Sequence, residues 1–158
     1  MTTELLEMVA VSTIQHGTVI DHISAGNALK IVSLLDVTDL KREMTIGIRL
    51  RSESLGHKDI LKIADWYPEE HLNQVALFAP HATINIIRDY QVAEKYKVVL
   101  PREMPINKPF CCNNPRCITK VEIVHGNFQV IKYQRLVKLL CTYCGKDTPL
   151  SEVHYAQN

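Results

Sequence analysis

Aromatic residues are scarce in this chain, and so are long apolar runs, glycine-rich loops and any surplus of one charge. The 158 residues include six Tyr, three Phe and one Trp, without a stripe on which successive bases could stack. Eighteen Lys and Arg face 17 Asp and Glu, a formal net charge of +1; a nucleic-acid binder normally shows a clear basic excess. DNA and RNA are therefore not expected as partners. No apolar run approaches the roughly 20 residues that a membrane helix needs, so no membrane association is expected. The opening MTTELLEMVAVS holds acidic residues and no basic region, which argues against a secretory leader. No glycine loop of the kind that cradles phosphates is present, no nucleophile stands beside a base, and no repeat or low-complexity segment occurs.

Cysteine, by contrast, is present in an informative pattern. Four residues separate Cys112 from Cys117, Cys141 and Cys144 form a CxxC step, and 23 residues lie between the two pairs. Two tight turns, each at the end of a hairpin, can aim two thiolates apiece at one tetrahedral ion. Zinc suits such an all-sulfur cage, at Zn–S distances of about 2.3 Å. Four protein ligands leave no position for water or substrate, so one structural Zn2+ is expected. Five cysteines, an odd number, without an export signal point to a reducing cytoplasm rather than to disulfides. Cys111 is left as a spectator thiol or a small buried apolar residue.

A seam runs through Val99 to Pro109, where Pro101, Pro105 and Pro109 block both helix and central strand. It divides the chain into residues 1–102 and 103–158. The second segment is too small to bury much surface unaided, and a metal is a usual remedy. Zinc can contribute on the order of 10 kcal/mol or more to such a module.

Residues 1–102 alternate between strand and helix signals. Met8 to Ile14 reads as a strand ending at a Gly17-Thr18 turn. Ser24 can cap a helix carrying Leu29, Val32 and Leu35. Thr45 to Arg51 alternates, with Ile46, Ile48 and Leu50 on one face. Lys58 to Ala64 is a further strand. Pro68, Glu69 and Glu70 suit a first helical turn, followed by the stripe Leu72, Val75, Ala76 and Ala79. Ala82 to Arg88 is a fourth strand, and Gln91 to Leu100 offers an edge. The order predicts an α+β fold: a ferredoxin-like βαββαβ antiparallel sheet with two helices on one face, joined to a small all-β, zinc-ribbon-like domain.

The uncovered sheet face carries the functional interest. Period-two alternation turns Leu61 and Ile63 toward the helices, and Lys58, Ile60 and Lys62 away from them. Asn85 and Ile87 likewise share the open side. Two ammonium groups could neutralise phosphates, Ile60 and Ile14 could contact a flat base, and Asn85 could bond its edge. Asp21 and His22, placed in the turn after the first strand, could reach a sugar hydroxyl or a phosphate. Spacing alone leaves a second reading open, in which both lysines are simply solvated and His22 is a satisfied turn residue.

The segments Gly17-Thr18-Val19-Ile20-Asp21-His22-Ile23, Gly56-His57-Lys58-Asp59-Ile60-Leu61-Lys62-Ile63 and Ala79-Pro80-His81-Ala82-Thr83-Ile84-Asn85 closely resemble the regulatory chain of aspartate carbamoyltransferase. The cysteine spacing is similar to that family's as well. The resemblance implies no catalytic activity, an allosteric nucleotide-binding domain, and a zinc domain that grips the catalytic chain. It also implies regulatory homodimers that tie catalytic trimers together, with CTP and ATP as effectors and UTP as a further candidate. Residue by residue, Asp21 and His22 match ribose and phosphate contacts, Lys95 a triphosphate lysine, and Lys62 the lysine near base and ribose. Lys58 and Asn85 line the same pocket, and Val11, Ile14, Ile60, Tyr90 and Val92 wall the base. Asn114 and Tyr143 match positions that touch the catalytic chain. Ser12 stands where some members carry a carboxylate, Arg116 replaces an asparagine, and Gly145 stands where an acidic side chain can occur.

Two other functions fit parts of the sequence. A zinc-ribbon nucleic-acid binder would share the cysteines but not the near-zero charge. A small enzyme could use Asp21 and His22 as an acid–base pair, although neighbours on a regular strand point oppositely.

Overall fold

The computed structural model describes residues 13–37, 41–68, 72–106, 110–134 and 136–155. The chain divides into two compact units, Met1–Leu100 and Pro101–Asn158.

In the first unit, strands β1 (Gly17–Ser24), β2 (Met44–Ser52), β3 (Gly56–Ala64), β4 (Thr83–Arg88) and β5 (Gln91–Lys97) form one antiparallel sheet in the order β2-β3-β1-β4-β5. Helix α1 (Ala28–Leu34) and a 3₁₀ segment (Leu72–Leu77) complete the βαββαβ pattern, with β5 as an added edge. The β-branched runs in β1 and β4 suit a half-buried pleat. Their inward residues Ile20, Ile23, Ile84 and Ile86 pack with Leu61 and Ile63 of β3, Ile31 and Val32 of α1, and Val75 and Ala76 of the 3₁₀ segment.

Several boundaries differ from those expected. Residues 8–12 of the proposed first strand lie outside the described residues, and the strand observed is Gly17–Ser24, where a turn and loop were expected. Gly17 belongs inside the ladder because β3 passes so close: a Cβ there would lie 2.2 Å from the Ile63 carbonyl oxygen, and its φ is +133°. Helix α1 begins at Ala28 rather than beside Ser24, and Leu29 faces solvent while Ala28, Ile31, Val32 and Leu34 are buried. The expected alternation of β2 breaks at a bulge between Gly47 and Leu50, leaving Ile48 half exposed. Glu69 and Glu70 lie outside the described residues, and the Leu72–Leu77 segment is wound as 3₁₀ rather than α.

The second unit is all β. Strands β6 (Glu103–Pro105), β8 (Asn127–Tyr133), β9 (Leu136–Cys141) and β10 (Asp147–Pro149) form a sheet in the order β10-β9-β8-β6, while β7 (Phe110–Cys111) pairs with β11 (His154–Tyr155). Part of the predicted connector is thus strand: Glu103–Pro105 pairs with β8, with Pro105 on an edge where its missing N–H does no harm. Residues 107–109 of that connector lie outside the described residues. Among the described residues of this unit, the buried apolar side chains other than cysteine are Met104, Ile106, Phe110, Phe128 and Leu139, with Thr119 and Thr148 buried beside them. Among the described residues, no helix is long and apolar enough to cross a membrane.

Candidate effector face and metal centre

Strand register decides which predicted residues meet. Lys62 pairs with Val19, Val19 with Asn85, and Asn85 with Lys95, so all four share the face opposite the helices in one row. The next row on the same side holds Asp21, Thr83 and Lys97, also directly paired. Thr83 and Lys97 were missed in the sequence, although each lies two residues from a nominated position and parity alone could have found them. At the opposite end, Tyr90 N–H donates to the Gln15 carbonyl at 3.0 Å, bringing Ile14 beside the Asp89-Tyr90 turn. Tyr90 and Val92 are exposed there. The face therefore grades over about 13 Å, four residues of strand, from apolar at Ile14, Tyr90 and Val92 to charged at Asp21. Val11 and Ser12 lie outside the described residues.

Asp21 and His22 are not in a turn; both belong to β1, at a bulge between Ile20 and Ile23. His22 takes a φ of 58°, a left-handed setting that a bulge tolerates. The bulge also undoes the expected opposition of these neighbours. The His22 N–H donates to Asp21 Oδ1 at 2.6 Å, and His22 Nδ1 lies 3.4 Å from Oδ2. Lys58 Nζ sits 2.8 Å from Asp21 Oδ1 and 3.0 Å from Oδ2. His22 Nδ1 is a buried atom without a hydrogen-bond partner in the structure. Burial holds the Lys62 ammonium below its ordinary value, and the Asp21 carboxylate pulls it partly back. Ile60 is half-buried beside this group. A carboxylate, two partly buried ammonium groups, an imidazole and an amide thus converge on one open face, a set suited to a polar ligand with anionic groups.

The second constellation is the sulfur cage. The Sγ atoms of Cys112, Cys117, Cys141 and Cys144 all lie within 4.8 Å of one another. Cys112 and Cys144 are 3.6 Å apart, Cys117 and Cys141 3.8 Å. Four sulfurs at about 2.3 Å from a tetrahedral ion stand about 3.8 Å apart, so the residues fit such a group. Only the second pair lies on a hairpin, at the β9–β10 turn. The first pair bounds the turn between β7 and the 3₁₀ turn Ile118–Lys120, which corrects the expectation of two hairpins. Asn114 N–H points at Cys112 Sγ at 3.5 Å, and the Thr119 hydroxyl donates to Cys117 Sγ at 3.2 Å. Both contacts would support thiolate charge.

Burial pushes the Cys112 and Cys141 thiols upward. Burial acts the same way on Cys144. There the backbone N–H of Lys146, the Asn114 side chain and the thiols of Cys112 and Cys141 outweigh it, bringing it to about 7. Four thiolates this close need a cation among them. Cys111 stands outside the cluster, with Lys120 Nζ 3.3 Å from its sulfur.

Asn114 and Tyr143 both shape the cage. Asn114 Oδ1 accepts the Arg116 N–H at 3.0 Å, closing the first turn. Tyr143 is 45% exposed, donates its hydroxyl to the His125 carbonyl at 2.9 Å, and sets its ring so close to Gly126 that a Cβ there would be 2.1 Å from the ring's Cε2.

Both units match a known family. Residues 9–99 match the model described as aspartate carbamoyltransferase regulatory chain, allosteric domain, and residues 105–154 the metal binding domain of the same chain. The chain belongs to the aspartate carbamoyltransferase regulatory chain family. Relatives so named include one from Vibrio campbellii, 43% identical over 137 residues that cover 86% of this chain and 88% of the relative. Another, from Pyrococcus furiosus, is 42% identical over 146 residues, covering 90% and 94%. The family is that of the regulatory chain and not of the catalytic chain, and its name places it in pyrimidine biosynthesis. An aspartate carbamoyltransferase regulatory chain built from an allosteric and a metal-binding domain accounts for the two constellations: a polar face on one unit and a closed four-cysteine cage on the other.

Proposed function

We propose that the open sheet face of the first unit binds nucleoside triphosphates, CTP and ATP foremost and UTP as a further candidate, and that binding alters the activity of catalytic trimers held by the second unit. The observation that carries this is the register row Lys62–Val19–Asn85–Lys95, flanked by the Asp21–Lys58 pair. Val11, Ile14, Ile60, Tyr90 and Val92 are assigned to the base, and Asn85 bonds its edge. Asp21 and His22 hold the ribose and an adjoining phosphate, and Lys62 and Lys95 neutralise the triphosphate.

The metal is one structural Zn2+, held by Cys112, Cys117, Cys141 and Cys144 and contributing to folding. Asn114 and Tyr143, on the two turns that hold it, contact the catalytic chain. Two copies of this chain pair as a regulatory dimer, and the assembly works in the cytoplasm. Residues 1–102 and 103–158 are its functional halves. An effector acts only through different affinities for two quaternary states, and a coupling of about 1–3 kcal/mol gives several-fold regulation.

The test is to purify the chain with its catalytic partner and assay carbamoyl transfer with and without CTP and ATP. Lys62→Ala should cut the response to both nucleotides at least several-fold and leave metal content and assembly intact. Unchanged regulation in that variant would remove Lys62 from the site. Nucleotide insensitivity of the native complex would remove the proposal.

A further inference from the structure

Asp59 has no role in the face or the cage, yet it is fully buried in β3. Its Oδ1 accepts the Arg49 N–H at 2.9 Å, and its Oδ2 accepts the N–H groups of Gly26 at 2.8 Å and Ala28 at 3.1 Å. Arg49 belongs to the bulge in β2, and Ala28 is the first residue of helix α1. On its other side Asp59 pairs with Ile23, the first residue after the Asp21–His22 bulge of β1. Each bulge contains a non-glycine residue held at positive φ, His22 at 58° and Arg49 at 55°. Such settings cost of order 1–3 kcal/mol each and persist only where the surroundings enforce them. One residue thus joins two strained bulges and a helix start, the β2 bulge and the helix through its side chain and the β1 bulge through its backbone pairing, and its neighbour Lys58 reaches Asp21 on the open face.

We infer that Asp59 is the positioning residue that carries a change at the effector face to helix α1 and to the edge strand β2. This rests on the nucleotide site proposed above. A phosphate competing for Lys58 loosens the Lys58–Asp21 pair and shifts both the β1 bulge and the β3 backbone at residue 58. A carboxylate with three charge-assisted hydrogen bonds in a dry interior follows that backbone closely. The amides it holds must move with it or lose their acceptor.

Amide hydrogen exchange of the metal-loaded full chain tests this. In the native protein, saturating CTP should change exchange at Gly26, Ala28 and Arg49 by roughly tenfold, the scale of a coupling free energy of about 1.4 kcal/mol. In Asp59→Asn the single amide oxygen can serve only one of the two branches. CTP should still bind, while its effect at Arg49 or at Ala28 disappears. A purely structural role would speed exchange in the variant generally and leave the CTP-induced difference in place, and that result overturns the inference. So does a native protein in which CTP binds but leaves these three amides unchanged, a measurement that needs no variant. Failure of CTP to bind the native chain overturns the nucleotide site as well, and titration calorimetry separates that case from the others.

Discussion

Replacing Cys117 by serine should unfold the second unit while sparing the first. Cys117 is 2% exposed, its sulfur lies 3.8 Å from Cys141 Sγ, and the Thr119 hydroxyl points at it. A structural zinc contributes about 10–16 kcal/mol to the folding of a small module. An equal share for each of the four ligands makes one thiolate worth about 2.5–4 kcal/mol. A single small core rarely supplies more than about 3–5 kcal/mol, and here the buried apolar side chains besides cysteine, among the described residues, are Met104, Ile106, Phe110, Phe128 and Leu139. The loss therefore matches most of the stability available. The first unit has its own apolar cluster, centred on Ile20, Leu61 and Ile84, and should keep its amide protection. Elemental analysis should find one zinc per native chain and far less in Cys117→Ser. Exchange at Phe128, Val130 and Leu139 should become fast, and exchange at Ile20, Leu61 and Ile84 should stay slow. Native protein purified without metal, or a variant in which the β8–β9 amides remain protected, would refute the role given to the cage.

Gly17→Ala should strike the first unit, since the added Cβ would sit 2.2 Å from the Ile63 carbonyl oxygen at a φ of +133°. A loss of about 3 kcal/mol lowers the melting temperature of a domain this size by roughly 12–24 °C, readable by calorimetry with zinc content unchanged. The cage should load zinc more weakly as pH falls: burial holds the Cys112 and Cys141 protons tightly, metal must displace them, and competition with a chromophoric chelator at pH 6 and 8 would show the tighter loading at pH 8.

Alternation made the open face legible, because parity survives any error in where a strand begins. Lys58, Ile60 and Lys62 fell on the correct side for that reason, and Leu61 and Ile63 on the other. Bulges broke the same logic. Nothing in the order Asp21-His22-Ile23 signals that β1 continues through a left-handed residue, so Asp21 and His22 were assigned to a turn. The β2 bulge misplaced Ile48 in the same way. The role of Asp59 was hidden for a deeper reason. Parity places it on the side of Leu61 and Ile63, but the N–H groups of residues 26, 28 and 49 that satisfy its buried carboxylate are assembled only by tertiary structure. The cage was legible because its chemistry sits in the residue types and their spacing; the turn that carries Cys112 and Cys117 was not, since β7 pairs with the distant β11.

Near-neutral composition is compatible with the proposed triphosphate site once charge is considered locally. A net charge of +1 sets the long-range field, which governs nonspecific attraction to nucleic acid. A bound triphosphate responds instead to ammonium groups within a few ångströms. Lys62 and Lys95 lie in one row of the sheet, Lys97 in the next and Lys58 beside Asp21. Asp21 neutralises one of those charges in the free protein, so Lys58 is held in place without leaving a bare cation cluster. An arriving phosphate would exchange one anionic partner of Lys58 for another, at little electrostatic cost to the free state. On the proposed site, binding and the disturbance of Asp21 would become one event, and a small ligand on an exposed face would reach the buried carboxylate of Asp59.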